Sequence, residues 1–258
     1  MQNNNEDKIL VAKILDKQKE CKVKNKLSYS DFLNEKDVRI IQKNINLENC
    51  FFDGAIENAD RKILIFYPEK ITEQMAKKNI NKIFSIIRIE LPKEMYGKYE
   101  HRNYLSALIK IGLVREKIGD ILVFENGADI ICFQSNKDYI INSLYELTRF
   151  KKSKINEISF EELREKNENF FEFTIIVSSI RLDNIVAELA KTSRNKAEEL
   201  LKNERVLVNY EIVEKSSKIL KIGDIITIRG KGKFIIDGLV RNTRNDRLVI
   251  NIKKYAWI

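Results

Sequence analysis

FTIIVSSIRLDNIVAELAKTSRNKAEELLKNERVLVNYEIVEKSSKILKIGDIITIRGKGKF, Phe173 to Phe234, is the stretch that decides the fold. Two short helical patterns come first. Leu182, Ile185, Val186 and Leu189 recur at helical spacing, and Ala197, Leu200 and Leu201 repeat the pattern. Ser179 is placed to cap the first helix, starting at Arg181, and Ser193 the second, because a hydroxyl accepts from a free N–H of the first turn. Asn203 stands where a helix often ends in a left-handed residue, which Asn tolerates. Strands are expected at Val206–Asn209 and at Ile225–Arg229, the latter entered through Gly223–Asp224.

The order SxRLDxxVA, SRxxAxxLL, VxVN, GDxIxxRGxGKF resembles the S4 RNA-binding domain and covers Ser179 to Phe234, with Asn203 where that family usually has Gly. The resemblance implies two helices and an adjoining loop that grip structured RNA. The residues expected to contact RNA are Arg181, Lys191, Arg194, Asn195, Lys196, Lys202 and Arg205, with Arg229, Lys231 and Lys233 from the later turn. Arginine forks bind phosphate and stack on bases, and lysine supplies a mobile charge. Structured RNA is expected over sequence readout, since A-form helices are read through shape, phosphates and 2′-hydroxyls. Tyr210 and Phe234 are read as core. Alanine at both Arg181 and Arg194 is expected to leave the apolar stripes, and so the fold, intact.

Charge supports this reading. From Glu172 onward there are 17 Lys/Arg against 11 Asp/Glu; the first 171 residues hold 30 against 27. Excess positive charge gathered in the last third attracts a polyanion. Cys21, Cys50 and Cys132 form no CxxC pair, which argues against a zinc ribbon and a disulfide scaffold and for free thiols in a reducing compartment. MQNNNEDKIL is not a signal peptide, and no apolar run approaches the ~20 residues that span a bilayer. A cytoplasmic protein is expected, with no membrane partner.

Working outward, 258 residues suggest roughly two domains of about 100–150 residues. Residues 1–58 read as a small helical region, with Ser30 or Asp31 capping a second helix that carries Val38, Ile41 and Ile45. Arg61–Tyr67 is a compact strand. From Phe84 the order is strand, helix, strand, strand, helix, strand, with a hairpin turn at Glu125–Asn126–Gly127. That is the split βαβ, ferredoxin-like arrangement shared with RNA-recognition-motif domains, and fold does not fix function. Glu161–Asn169 is charged and reads as a linker or an exposed helix end. A hairpin is expected at Ile235–Val240 and Arg247–Lys253 with its turn at Thr243–Asp246. The chain is thus α+β in three parts: a helical region over 1–58, a ferredoxin-like/RRM-like domain over 59–165, and an S4 (αL-type) RNA-binding domain over 172–258.

HRNYLSALIKIGLVREKIGDILV, His101 to Val123, followed by the S4-like region, resembles the YlmH family of bacterial ribosome-associated proteins, with Ser106 where that family usually has Gly. This likeness runs from about Ala55 to Tyr255. It implies a non-enzymatic factor that binds rRNA and peptidyl-tRNA on the large ribosomal subunit in rescue of stalled translation; an older association is with cell division. A monomer is expected, with no cofactor, no metal and no catalytic residue. His101, the one histidine, has no Ser/Asp or Cys constellation nearby and is read as structural. No HExxH, P-loop or GxGxxG occurs; Arg229–Lys233 is read as a tight turn. Asp183 follows Arg181 and Leu182 as in pseudouridine synthases, but Ile180 replaces their Gly, so it is read as a first-turn acid able to pair with a basic neighbour. The rival readings are an RNA-modifying enzyme with an S4 targeting domain, marked by an acid pocket at the N-terminal helices, and a division adaptor, marked by an apolar groove there.

Overall fold

The computed structural model describes residues 3–57, 59–164, 170–243 and 247–255. The chain divides after Lys166 into two compact units. Unit 1 begins with α1 (Asn3–Lys24), β1 (Ser28–Tyr29), α2 (Glu35–Asn44), β2 (Cys50–Asp53), β3 (Ile63–Phe66) and α3 (Glu73–Lys77). It continues with β4 (Phe84–Glu90), α4 (His101–Lys110), β5 (Ile118–Phe124), β6 (Gly127–Phe133), α5 (Lys137–Glu146) and β7 (Lys154–Ile158).

The last four of these strands form an antiparallel sheet in the order β5-β6-β4-β7, the ferredoxin-like topology expected from Phe84 onward. Its hairpin turn needs Gly127 for more than turn geometry: φ is +151°, and a Cβ there would lie 1.8 Å from the Ile89 carbonyl oxygen of β4. One face of the sheet buries Ile87, Ile89, Ile118 and Ile130 against Leu108 of α4 and Ile140 and Leu144 of α5.

The other face corrects the expected domain division. β3 pairs with β2 in register (Cys50↔Phe66 to Asp53↔Ile63) and with β1, so a boundary at 58/59 would cut through a three-stranded sheet. The N-terminal region is therefore not purely helical. Strands of two and four residues are too short to announce themselves by alternation. This small sheet lies on the second face of β4–β7. Phe32, Phe51, Ile63 and Ile65 share a core with Phe84, Ile131 and Phe133, and the Phe32 ring is 4.7 Å from that of Phe133. The topology is RRM-like, but the sheet face such domains use is closed. Arg61 ties the layers: its Nε donates to the Ile118 carbonyl (2.9 Å) and its Nη2 to that of Phe32 (2.8 Å), while the Asp120 carboxylate accepts from the backbone N–H of Asp60 (2.8 Å) and Arg61 (3.0 Å). α2 is capped by Asn34 in a reciprocal box with Asp37, both bonds 3.0 Å. Ser30 instead accepts from the Leu64 N–H of β3 at 2.9 Å.

Gly119 is a point of close approach between the layers, since a Cβ there would lie 2.8 Å from the Phe32 ring and 2.9 Å from the Ile131 carbonyl. Gly119→Val is expected to cost about 1–3 kcal/mol by overpacking, read as a lower urea midpoint for unit 1. An unchanged midpoint would show that the layers are not tightly apposed.

Unit 2 holds β8 (Phe170–Val177), α6 (Leu182–Ala190), α7 (Arg194–Lys202), β9 (Val206–Val208), β10 (Glu211–Ile212), β11 (Ile225–Ile228), β12 (Gly232–Asn242) and β13 (Leu248–Tyr255). The sheet is antiparallel in the order β10-β9-β11-β12-β13-β8. Both expected helices are present, and Leu182, Ile185, Val186, Leu189, Ala197 and Leu201 pack on Val206, Val208, Ile226, Ile228, Phe234 and Ile236. The expected β12–β13 hairpin is present with longer strands; part of its expected turn lies outside the described residues. β8 was not anticipated as a strand, and it starts two residues before the expected boundary at 172. Nor is the whole of Glu161–Asn169 a linker. Arg164 is bonded to Asp129 of β6, so 161–164 is built into unit 1; residues 165–169 lie outside the described residues.

Candidate nucleic-acid interface

The expected contact residues lie around α6 and α7, and one buried carboxylate organises them. Asp183, in the first turn of α6, is 0 % exposed. Arg181, the N-cap residue, places its fork on it, with Nε donating at 3.1 Å and Nη2 at 2.8 Å. Arg194, the first residue of α7, donates to the same carboxylate through Nε (2.9 Å) and Nη2 (2.6 Å). The Asn184 N–H adds a third donor at 2.9 Å. Burial alone would push the Asp183 carboxyl up; the bonds from Arg181, Arg194 and the Asn184 backbone outweigh it and bring it down to about 2. The reading of Asp183 as an acid paired with a basic neighbour is realised twice over.

This clamp changes what Arg181 and Arg194 are. Each spends one edge of its guanidinium on Asp183, yet their side chains remain 34 % and 51 % exposed. They are held rigidly at the surface and can still face a phosphate. The expectation that alanine at both leaves the fold intact is therefore corrected, because the change would strand a buried charge. Capping also differs in part. Ser193 caps α7 by accepting from the Lys196 N–H (3.4 Å), but Ser179 accepts from the Asn184 amide (2.8 Å) instead of capping α6. The left-handed residue after α7 is Glu204 (φ +54°), not Asn203 (φ −85°).

The remaining sites fall into two groups. Lys191, left-handed at φ +52°, leads into exposed Arg194, Asn195 and Lys196 at one end of α7. At the other end, exposed Lys202 and Arg205 adjoin the β11–β12 turn, where the Arg229 N–H donates to the Arg205 carbonyl at 2.9 Å. That turn is tight, as expected: Gly230 has φ +82° and the Lys231 N–H donates to the Ile228 carbonyl. Glu199 and Glu204 are exposed on the same helix end, so the strip is basic by majority. Lys233 is not brought into it. Its ammonium sits over the Tyr255 ring (4.3 Å) and the Tyr210 ring (4.9 Å). Phe234 is buried in the core, as read; Tyr210 is half-buried under that lysine.

Unit 1 repeats the clamp without any signal in the sequence. Asp129, 0 % exposed, receives Arg88 through Nε and Nη2 (both 2.8 Å) and Arg164 through Nε (3.2 Å) and Nη2 (2.7 Å). Burial works against ionisation there too, and the two arginines lower the carboxyl below its usual range. Arg88 and Asp129 are direct cross-strand partners, a fact of register that only the folded sheet supplies.

His101 opens α4 as its first residue, behind Glu100 at the N-cap, whose N–H donates to the Asn103 side chain at 2.8 Å. Burial pushes the Cys132 thiol up to about 12 and that of Cys50 to about 11, far from thiolate chemistry at neutral pH. Among the described residues no group of three His, Cys, Asp or Glu could hold a metal ion. An acid-lined cleft does lie beside α1: of its carboxylates Glu20 sits between Lys17 and Lys24, Asp31 on Lys117 and Asp37 in the α2 cap, and Glu6, Asp7, Asp16 and Glu116 line it as well. Among the described residues no helix is long and apolar enough to cross a membrane.

Comparison with known proteins adds the following. Residues 77–162 match the family described as the putative RNA-binding domain in YlmH, and residues 180–226 match the S4 domain. The chain is 28 % identical over 234 residues, 89 % of its own length and 88 % of the relative's, to a Bacillus subtilis protein named ribosome-associated protein quality control protein P2. A solved structure, the cell division protein ylmH from Streptococcus pneumoniae, aligns at 20 % identity and a TM-score of 0.49 over 62 % of this chain and 95 % of that one.

Proposed function

We propose that this chain, in which a match to the putative RNA-binding domain in YlmH is followed by a match to the S4 domain, is a non-enzymatic, cytoplasmic RNA-binding factor of ribosome-associated quality control, like the relative named for that role. In this reading it binds the large ribosomal subunit through rRNA and peptidyl-tRNA, as a monomer, during rescue of stalled translation. The observation that carries the reading is the strip along α7, where Lys191, Arg194 and Lys196 at one end and Lys202, Arg205, Arg229 and Lys231 at the other are held outward on a rigid two-helix platform. Arginines pre-oriented on Asp183 lose little freedom on meeting phosphate, which favours binding.

A variant that spares the clamp tests this. Lys202→Gln/Arg229→Gln/Lys231→Gln removes three exposed charges and no buried contact. It is expected to leave the large-subunit fraction in a sedimentation profile, with an unchanged circular dichroism spectrum. Co-sedimentation at the wild-type level would move the anchor away from this strip.

A further inference from the structure

An RNA-recognition-type sheet takes bases on an open face that carries aromatic side chains. In unit 1 that face is closed, with Phe84, Ile131 and Phe133 lying under Phe32, Ile63 and Ile65. Any RNA contact by this unit must come from another surface. One surface is built for it, where the segment leading into α4 meets the segment that leaves α5.

An aromatic trio fixes the two segments together. Tyr99 meets Tyr104 and Phe150 edge-on at 6.1 and 5.9 Å, and Tyr104 stacks on Phe150 at 5.7 Å. The Arg149 guanidinium lies 5.6 Å from the centre of the Tyr99 ring and donates to the Asn103 carbonyl and the Ser106 hydroxyl. Residues 93–102 and 146–154, the two segments that meet at Tyr99 and Phe150, carry seven Lys/Arg against three Glu. Arg102 pairs with Glu100 (2.9 Å) and Lys154 with Glu90 (3.7 Å). Lys98, Arg149, Lys151 and Lys152 are exposed and have no carboxylate partner among the described residues.

We infer that this surface is a second phosphate-binding site, taking the backbone of structured RNA; the inference rests on the RNA-binding reading above. A guanidinium held by a ring and a carbonyl is pre-oriented, and the lysines beside it supply point charges that suit a polyanion without sequence readout. The fold thus moves RNA contact from the buried sheet to the loops at one end of the helical layer.

The test uses the full chain and a labelled transfer RNA, with binding measured by anisotropy between 50 and 200 mM salt. Lys98→Gln/Arg102→Gln/Lys151→Gln/Lys152→Gln is expected to bind roughly 10–100-fold more weakly at 100 mM salt, with a salt slope shallower by about 2–3 and an unchanged melting temperature. Lys151→Gln/Lys152→Gln alone, at two exposed positions, is the second variant, with a slope shallower by about 1–2. Wild-type affinity and slope in both variants would overturn the second site and leave the RNA-binding reading standing. Failure of the unaltered protein to bind RNA would overturn both.

Discussion

Arg181→Ala/Arg194→Ala is expected to destabilise unit 2 as well as remove two RNA contacts. The Asp183 carboxylate is fully buried and both of its cationic partners would be gone. Stranding a buried charge costs about 3–5 kcal/mol, and the lower end applies because the clamp reaches solvent through the two guanidiniums. Adding Asp183→Ala should restore much of the loss, since removing a whole buried pair is far cheaper than removing half of it. The linkage has a definite sign. Asp183 titrates near 2 when folded, below its ordinary 3.8. A depressed carboxyl contributes stability that is complete above the unfolded value and is lost as pH falls through the folded one. In the double variant burial raises the carboxyl with no arginine to oppose it, so the difference between wild type and double variant should be largest at neutral pH and shrink as pH falls through the acid range to about 2. Urea midpoints across that range give the answer, and equal midpoints at pH 7 would mean that the clamp is not structural. Ribosome binding lost in this double variant reports folding, which is why the test of function above avoids both arginines.

The second large effect is on salt. If the α7 strip meets about 6–10 phosphates, affinity for rRNA or tRNA should fall by about 10³–10⁵ between 50 and 200 mM salt. Anisotropy titrations across that range supply the slope. A flat response would rule out phosphate contact as the main source of affinity and point to stacking or protein contacts.

What the sequence makes legible is what is local. α6 and α7 followed from spacing, the β5–β6 hairpin from Asn126–Gly127, and the ferredoxin-like order from alternating periods, because each signal lies within a few residues of its effect. The types and positions of the basic residues around α7 were legible for the same reason. Whether Lys233 joins the strip or covers Tyr210 and Tyr255 depends on which face of β12 it occupies, which residue spacing does not give. The Asp129 clamp depends on the register of β4 against β6 and on Arg164 returning from 35 residues away. The boundary at 58/59 failed because β3 takes both its neighbours from the region thought to be a separate helical piece.

The contact between Phe32 and Phe133 also sets a schedule for synthesis. The chain leaves the ribosome from its N-terminus at about 5–20 residues per second. Phe32, Ile63 and Ile65 emerge first; Phe84 of the second layer follows, and that layer is not complete until Ile131 and Phe133 appear, on the order of 5–20 s after Phe32. For that interval the apolar side of the first sheet is open to other nascent chains and chaperones. The core of unit 1 is therefore closed only by residues that emerge late in its synthesis.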